Sequence, residues 1–142
     1  MVLVATMSKD DIYSSLSSGI YTELIGDTFH VSKALYPLLA KTKGHRLVLI
    51  TDALRSAGMP DGVYEIGGQQ FTVKGIECRL QDGTIAGSVL RLNLGVRNLR
   101  EYGHLPMYEA VRAASLNAAE SANLANRKGS LTPGKDADIR SE

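Results

Sequence analysis

The chain has 142 residues, 44% of them hydrophobic, which is enough to bury one ordinary core. Sixteen basic and fifteen acidic side chains leave a formal charge of +1, and no Lys/Arg stripe interleaved with aromatics appears, so nucleic acid is excluded as an expected partner. The longest apolar runs are far too short to cross a bilayer, and the opening Met1-Val-Leu-Val-Ala5 lacks a basic region and a long apolar stretch. No membrane is expected, and the default location is the cytoplasm. The single cysteine, Cys78, rules out an internal disulfide, and its place in an alternating pattern points to core packing rather than to a nucleophile.

Tyr21-Thr-Glu-Leu-Ile25 reads as a short strand, broken by Gly26, Asp27 and Thr28 before Phe29 and His30. From Val31 the apolar residues Val31, Ala34, Leu35, Leu38 and Leu39 follow helical spacing, with Ser32 as a cap and Gly44 as a stop. Pro37 conflicts with a helix that begins at Ser32, so the helix either starts later or bends there. Arg46-Leu-Val-Leu-Ile50 is a continuous apolar run of the kind found in a central parallel strand covered on both faces. Strand, loop, helix and strand over about thirty residues make one βαβ unit, which gathers reactive groups at the carboxyl ends of its strands. His30 and Asp52 occupy equivalent places after two successive strands and are expected to face one pocket.

Beyond Asp52, Val63–Ile66 and Gln70–Val73 flank Gly67-Gly68, a hairpin signature. Ile76, Cys78 and Leu80 alternate as in a strand, and Asp82-Gly83 turns the chain. Ile85, Ala86, Gly87 and Ser88 read as free backbone amides just ahead of a helix, able to hold a sugar or acyl oxygen. That helix has apolar positions Leu92, Val96 and Leu99 and ends near Gly103; a second after Pro106 carries Tyr108, Val111 and Leu116, and helix is expected to continue over Asn117 to Leu124. Gly129–Lys135 is a turn-rich exit, and Asp136–Ile139 looks like the truncated start of a strand.

A carboxylate at a strand mouth can move a proton between water and a leaving group, which makes Asp52 the first catalytic candidate; a helix cap or Asx turn is the bland alternative. His30 either orients or protonates a substrate oxygen, or caps the following helix and packs on Phe29. His45 and His104 read as solvated surface residues. Three scattered histidines, with no His-x-His pair and no helical Glu-x-x-His, supply no metal site.

Taken together, Glu23–Val31, Leu47–Ala53, Gly58-Met-Pro-Asp-Gly62, Asp82–Ser88 and Lys128–Asp138 resemble the N-acetylglucosamine-6-phosphate deacetylase family over roughly residues 18 to 139. The resemblance implies an α/β fold that is the carboxyl-terminal part of a (β/α)₈ TIM barrel: the last two barrel strands, a β-hairpin insertion and terminal helices. Residues 1–142 then form a single partial barrel domain, and 136–142 a cut strand of a small β domain. The implied activity is hydrolysis of the acetamide of N-acetylglucosamine 6-phosphate to glucosamine 6-phosphate and acetate. Asp52 matches the family's catalytic aspartate, which moves a proton from a metal-bound water to the departing amine. Asp27, Thr28, Phe29 and His30 match its substrate-binding stretch, and Ile85, Ala86 and Gly87 the segment against the sugar and acetyl group. The family has glycine where this chain has Thr28. The cofactor implied is a divalent metal ion, zinc or similar, whose glutamate and two histidine ligands lie upstream of the stretch represented here. The fragment alone is accordingly expected to be inactive, with a second copy or a complementing amino-terminal fragment as its partner. Two rival expectations are a non-catalytic sugar-phosphate binding or assembly fragment and a remnant without function.

Overall fold

Parallel pairing of three short strands organises the computed structural model, which describes residues 2–4 and 19–138. β1 (Val2–Val4) pairs with β2 (Thr22–Ile25), and β2 with β3 (Leu47–Ile50), all parallel, in the order β1-β2-β3. The chain thus contributes three parallel strands where two were expected. β3 is buried on both faces as its continuous apolar run requires, but the central strand among the described residues is β2, with Leu24 and Ile25 both fully buried. The register sets Ile25 opposite Ile50, so the chain leaves both strands at one edge of the sheet.

The connection from β2 to β3 resolves the Pro37 conflict. Residues Lys33–Leu35 make one 3₁₀ turn, capped by Ser32 Oγ accepting from Ala34 N, and α1 (Tyr36–Lys43) starts only then, with Pro37 in its first turn where no backbone donor is lost. A 3₁₀ turn has three residues rather than 3.6, so the apolar phase shifts. Tyr36, Leu39 and Ala40 are buried, while Ala34 and Leu38 face solvent, contrary to the expected stripe. Gly44, at φ 48°, ends the helix as expected.

α2 (Leu92–Gly103), α3 (Met107–Ala114) and α4 (Leu116–Ser121) follow the second sheet in sequence but pack on the first. Their buried faces are narrow and, apart from Leu99, built of small residues such as Gly95, Ala110, Ala113 and Ala119. Leu92, Tyr108 and Val111, expected on apolar faces, are exposed, and the helix anticipated through Leu124 breaks at Ser115 and restarts at Leu116. Leu24, Val31, Tyr36, Leu39, Leu47, Leu49, Leu99, Ala110 and Ala113 form the main core. Close approach of α2 to the end of β2 depends on glycine. A Cβ on Gly26 would come within 2.5 Å of Leu49 Cδ1 and 3.2 Å of Gly95 Cα, and Asn98 Nδ2 donates to the Gly26 carbonyl at 2.9 Å. On α4, the buried Asn117 donates to Leu47 O at 2.8 Å and accepts from Arg112 Nε at 2.9 Å, fixing the start of β3.

The second sheet is an antiparallel meander of β4 (Gly62–Ile66), β5 (Gln69–Lys74), β6 (Glu77–Leu80) and β7 (Ile85–Gly87). Gly67 and Gly68 link β4 to β5 with φ of 57° and 82°, the left-handed pair a two-residue type I′ hairpin needs. Phe71, Val73 and Cys78 form its small core, so the thiol is a packing residue; Ile76 lies in a turn and is exposed. Residues 85–87, read from sequence as amides ahead of a helix, are instead a strand, and four residues separate it from α2. Asp136–Asp138 are not in a strand, and Ile139 lies outside the described residues.

Candidate active site

The sheet register carries the residues after β2 and those after β3 to the same edge, and two further contacts bring the meander onto it. Ser88 N donates to Asp52 O at 3.1 Å and Leu54 N to Ser88 O at 2.8 Å, a parallel bridge joining the end of β3 to the end of β7. On the other side, the Arg79 guanidinium of β6 lies 5.1 Å from the centre of the Phe29 ring. Asp27, Thr28, Phe29, His30, Asp52 and the strand Ile85–Gly87 are therefore gathered along one rim.

Local backbone geometry explains the shape of the first loop. Asp27 Oδ1 accepts from Phe29 N at 2.9 Å and His30 N at 3.0 Å, an Asx-type turn that folds the chain back over its own side chain. Oδ2 faces His30 Nδ1 at 2.6 Å, and both side chains are almost closed to solvent, at 3% and 4% exposure. The His30 ring also meets Phe29 edge-on, with centroids 5.7 Å apart. Burial pushes the Asp27 carboxyl upward, but the His30 ring, the two backbone donors and the His30 charge together outweigh it and hold it below the ordinary carboxylate value. Its folded value is thus lower than its unfolded one, so the stability it contributes is complete above the unfolded value of about 4 and is lost as the pH falls through the folded value. In urea titrations from pH 7 down to pH 2, the parent chain is expected to lose more stability in acid than Asp27→Asn does; parallel curves would show that Asp27 gains nothing from these bonds.

Thr28 follows with φ 65°, a left-handed conformation that crowds a β-branched side chain. Its N–H donates to the buried Tyr36 hydroxyl at 3.1 Å, a bond available to any residue at that position. Burial, with the Asp27 charge adding to it against the opposing Thr28 bond, pushes the Tyr36 hydroxyl up to about 12. Thr28→Gly is expected to raise stability by about 0.5–1 kcal/mol, the relief of left-handed strain less the backbone entropy glycine adds to the unfolded chain. A urea midpoint unchanged or lowered would show that the loop absorbs the side chain without strain.

Asp52 is the second non-glycine site residue with positive φ, at 50°. Its main-chain carbonyl is held by Ser88 and its side chain stands exposed at the rim. Cys78 approaches from β6; burial first, and then the Asp27 charge, raise its thiol above the ordinary value. His45 and His104 are exposed surface residues, as expected.

Tyr36 and Arg79 are site-supporting residues that sequence reasoning missed, and Ser88, read from sequence as a free amide, instead spends its N–H on Asp52 O. Tyr36 sits on the helix face nearest Thr28, and correct phasing of α1 from Pro37 would have found it. Ser88 and Arg79 act through long-range pairing that has no local signal.

A divalent cation does not fit this set. Among the described residues no group of three or more His, Cys, Asp or Glu side chains lies close enough together to hold one. Asp27 and His30 cannot serve as its nucleus, because both Asp27 oxygens are already engaged by the ring and two amides. No helix among the described residues is long and apolar enough to cross a membrane.

The chain is 45% identical over 122 residues to an N-acetylglucosamine-6-phosphate deacetylase of Bacillus subtilis, covering 85% of this chain and 31% of the relative. It is 40% identical over 119 residues to an N-acetylgalactosamine-6-phosphate deacetylase of Escherichia coli O157:H7, covering 84% of this chain and 32% of the relative. Its fold superposes with a TM-score of 0.80 and 33% identity on a mutant N-acetyl-D-glucosamine-6-phosphate deacetylase from Mycobacterium smegmatis, solved in complex with N-acetyl-D-glucosamine-6-phosphate, covering 89% of this chain and 34% of that one. The chain spans about a third of the length of each of these proteins. A profile of the amidohydrolase family matches residues 34–140, three-quarters of the sequence, and so the chain belongs to the amidohydrolase family.

Proposed function

We propose that this chain supplies the proton-transfer carboxylate and part of the sugar-facing rim of a deacetylase that hydrolyses the acetamide of N-acetylglucosamine 6-phosphate. The observation that carries the reading is the convergence of Asp52, the Asp27–His30 loop and the strand Ile85–Gly87 on one sheet edge. Its support from relatives is that the proteins it resembles are named as deacetylases of N-acetylated amino sugar 6-phosphates.

In this reading the three parallel strands and their helices are the carboxyl-terminal part of a (β/α)₈ barrel, and residues 1–142 act as one partial domain. Asp52 takes a proton from the attacking water and returns it to the departing amine. His30, Phe29, Thr28 and the Ile85–Gly87 backbone contact the sugar and its acetyl group. Amidohydrolases are metal-dependent as a family, and since the described residues make no cation site, the ligands belong to polypeptide outside them; a divalent ion bound there would supply Lewis-acid activation. The chain works in the cytoplasm with a complementing amino-terminal segment, and the exposed Met107, Tyr108 and Leu131 suit coverage by such a partner.

Acetate release tests this. The chain alone, with N-acetylglucosamine 6-phosphate and divalent zinc, is expected to give none. Mixed with the amino-terminal two-thirds of the Bacillus subtilis relative, it is expected to restore hydrolysis. Hydrolysis by the chain alone would refute the need for a partner. A mixture that binds N-acetylglucosamine 6-phosphate without releasing acetate would favour a non-catalytic binding piece.

A further inference from the structure

Asp27 and His30 form a closed pair whose geometry determines more than position. The two backbone amides of Phe29 and His30 converge on Oδ1 of Asp27, so only Oδ2 is left for the ring, and it meets Nδ1 at 2.6 Å. A carboxylate can only accept, so the proton in that bond belongs to the ring. We propose that Asp27 is a positioning residue that locks neutral His30 as the Nδ1–H tautomer, leaving Nε2 as a bare acceptor for a hydroxyl or amide N–H of the ligand. The substrate group recognised at this point is then a neutral donor rather than an anionic oxygen, which a lone pair would repel. A sugar hydroxyl has that chemistry and a phosphate dianion does not. The ligand half of the inference rests on the sugar-binding reading of His30 given above; the tautomer half does not.

The neighbourhood reinforces the lock. Tyr36 on α1 donates nothing to Asp27 and instead accepts from Thr28 N, while Cys78 on β6 packs near the carboxylate as an un-ionised thiol. Phe29 closes one side of the ring edge-on. None of these groups competes with the imidazole for Oδ2.

An Asp27→Asn substitution reverses the tautomer by a specific route. Two amide donors already point at Oδ1, so the side-chain oxygen of Asn must stay there, since an NH₂ would set donors against donors. The NH₂ then faces Nδ1 and donates to it, which forces the ring proton onto Nε2. The variant keeps the loop and changes only which nitrogen bears hydrogen.

The test is two-bond ¹H–¹⁵N correlation spectroscopy of the 142-residue chain, followed upward in pH until all three rings are neutral, with His45 and His104 as exposed internal references. Wild-type His30 is expected to favour Nδ1–H by about tenfold or more, while the references show no such preference. Asp27→Asn is expected to invert the preference at His30 alone. Wild-type His30 protonated mainly on Nε2 would overturn the proposal, and that spectrum decides even if the variant fails to fold. An unchanged tautomer in a folded Asp27→Asn protein would overturn it as well. Glucosamine 6-phosphate is then titrated into the chain mixed with the amino-terminal segment. A shift at His30 Nε2 supports the donor contact, whereas a correct tautomer with no shift under saturating ligand refutes the sugar-binding reading and leaves the role of Asp27 standing.

Discussion

Asp52→Asn is expected to cut turnover of N-acetylglucosamine 6-phosphate by the complemented enzyme about 10²- to 10⁴-fold while leaving the fold intact, the signature of a lost proton carrier. The two halves of that expectation come from different features. Asparagine cannot pick up and release a proton at neutral pH, so the departing amine must leave without general-acid help. Yet asparagine tolerates the left-handed backbone that residue 52 adopts at φ 50° about as well as aspartate does, and the carbonyl bond from Ser88 involves only the main chain. Thermal unfolding of the variant should therefore match the parent. Turnover within about threefold of the parent would remove Asp52 from the chemistry, and a large loss of stability would show that the residue is structural. Loss in kcat with KM little changed separates proton transfer from substrate binding.

Leu24→Ala should have the largest effect on stability, about 3–4 kcal/mol. Leu24 lies at the middle of the central strand β2, is fully buried, and belongs to the main core with Val31, Tyr36, Leu39, Leu49 and Leu99. Removing the branch carbon and two methyl groups there loses their transfer from water and leaves a cavity between sheet and helices. Collapse into that cavity is limited: Gly26 and Gly95 already bring α2 nearly into backbone contact with the strand end. Chemical denaturation of parent and variant measures the difference. A loss under about 1 kcal/mol would mean that the helices close over the vacancy.

The apolar run of β3 was legible in the sequence because a strand covered on both faces needs no alternation, and the ends of β2 and β3 were marked by Gly26 and Thr51-Asp52. The Gly67-Gly68 hairpin was legible for a different reason: two consecutive residues with positive φ call for glycine. Helix faces were harder. α3 buries alanines and exposes Tyr108 and Val111, so hydrophobicity pointed to the wrong side of it. β1 escaped notice because three residues, Val2–Val4, carry too little pattern to be distinguished from any apolar triplet. Ile85–Gly87 reads as the lead-in to a helix because Gly83, Gly87 and Ser88 flank only two apolar residues there, and its strand character comes from β6 pairing on one side.

At the candidate site, sequence supplied the residues but not their alliances. Asp27, His30 and Asp52 stood out by type and by their place after strands. That Asp27 closes on His30 depends on the fold-back through Thr28, a conformation no local propensity favours for threonine. The coverage of Phe29 by Arg79 depends on how the meander returns, which only tertiary structure decides.

The bridge between Ala53 and Ser88 is made wholly of main-chain atoms. Stitching of that kind is indifferent to side-chain identity, so substitutions at residues 85 and 86 leave intact the bonds that tie residue 52 to the meander. Gly87 is the fixed post in this arrangement: at φ 141° its missing side chain leaves room for Leu54, whose carbons would stand 3.0 Å from any added Cβ.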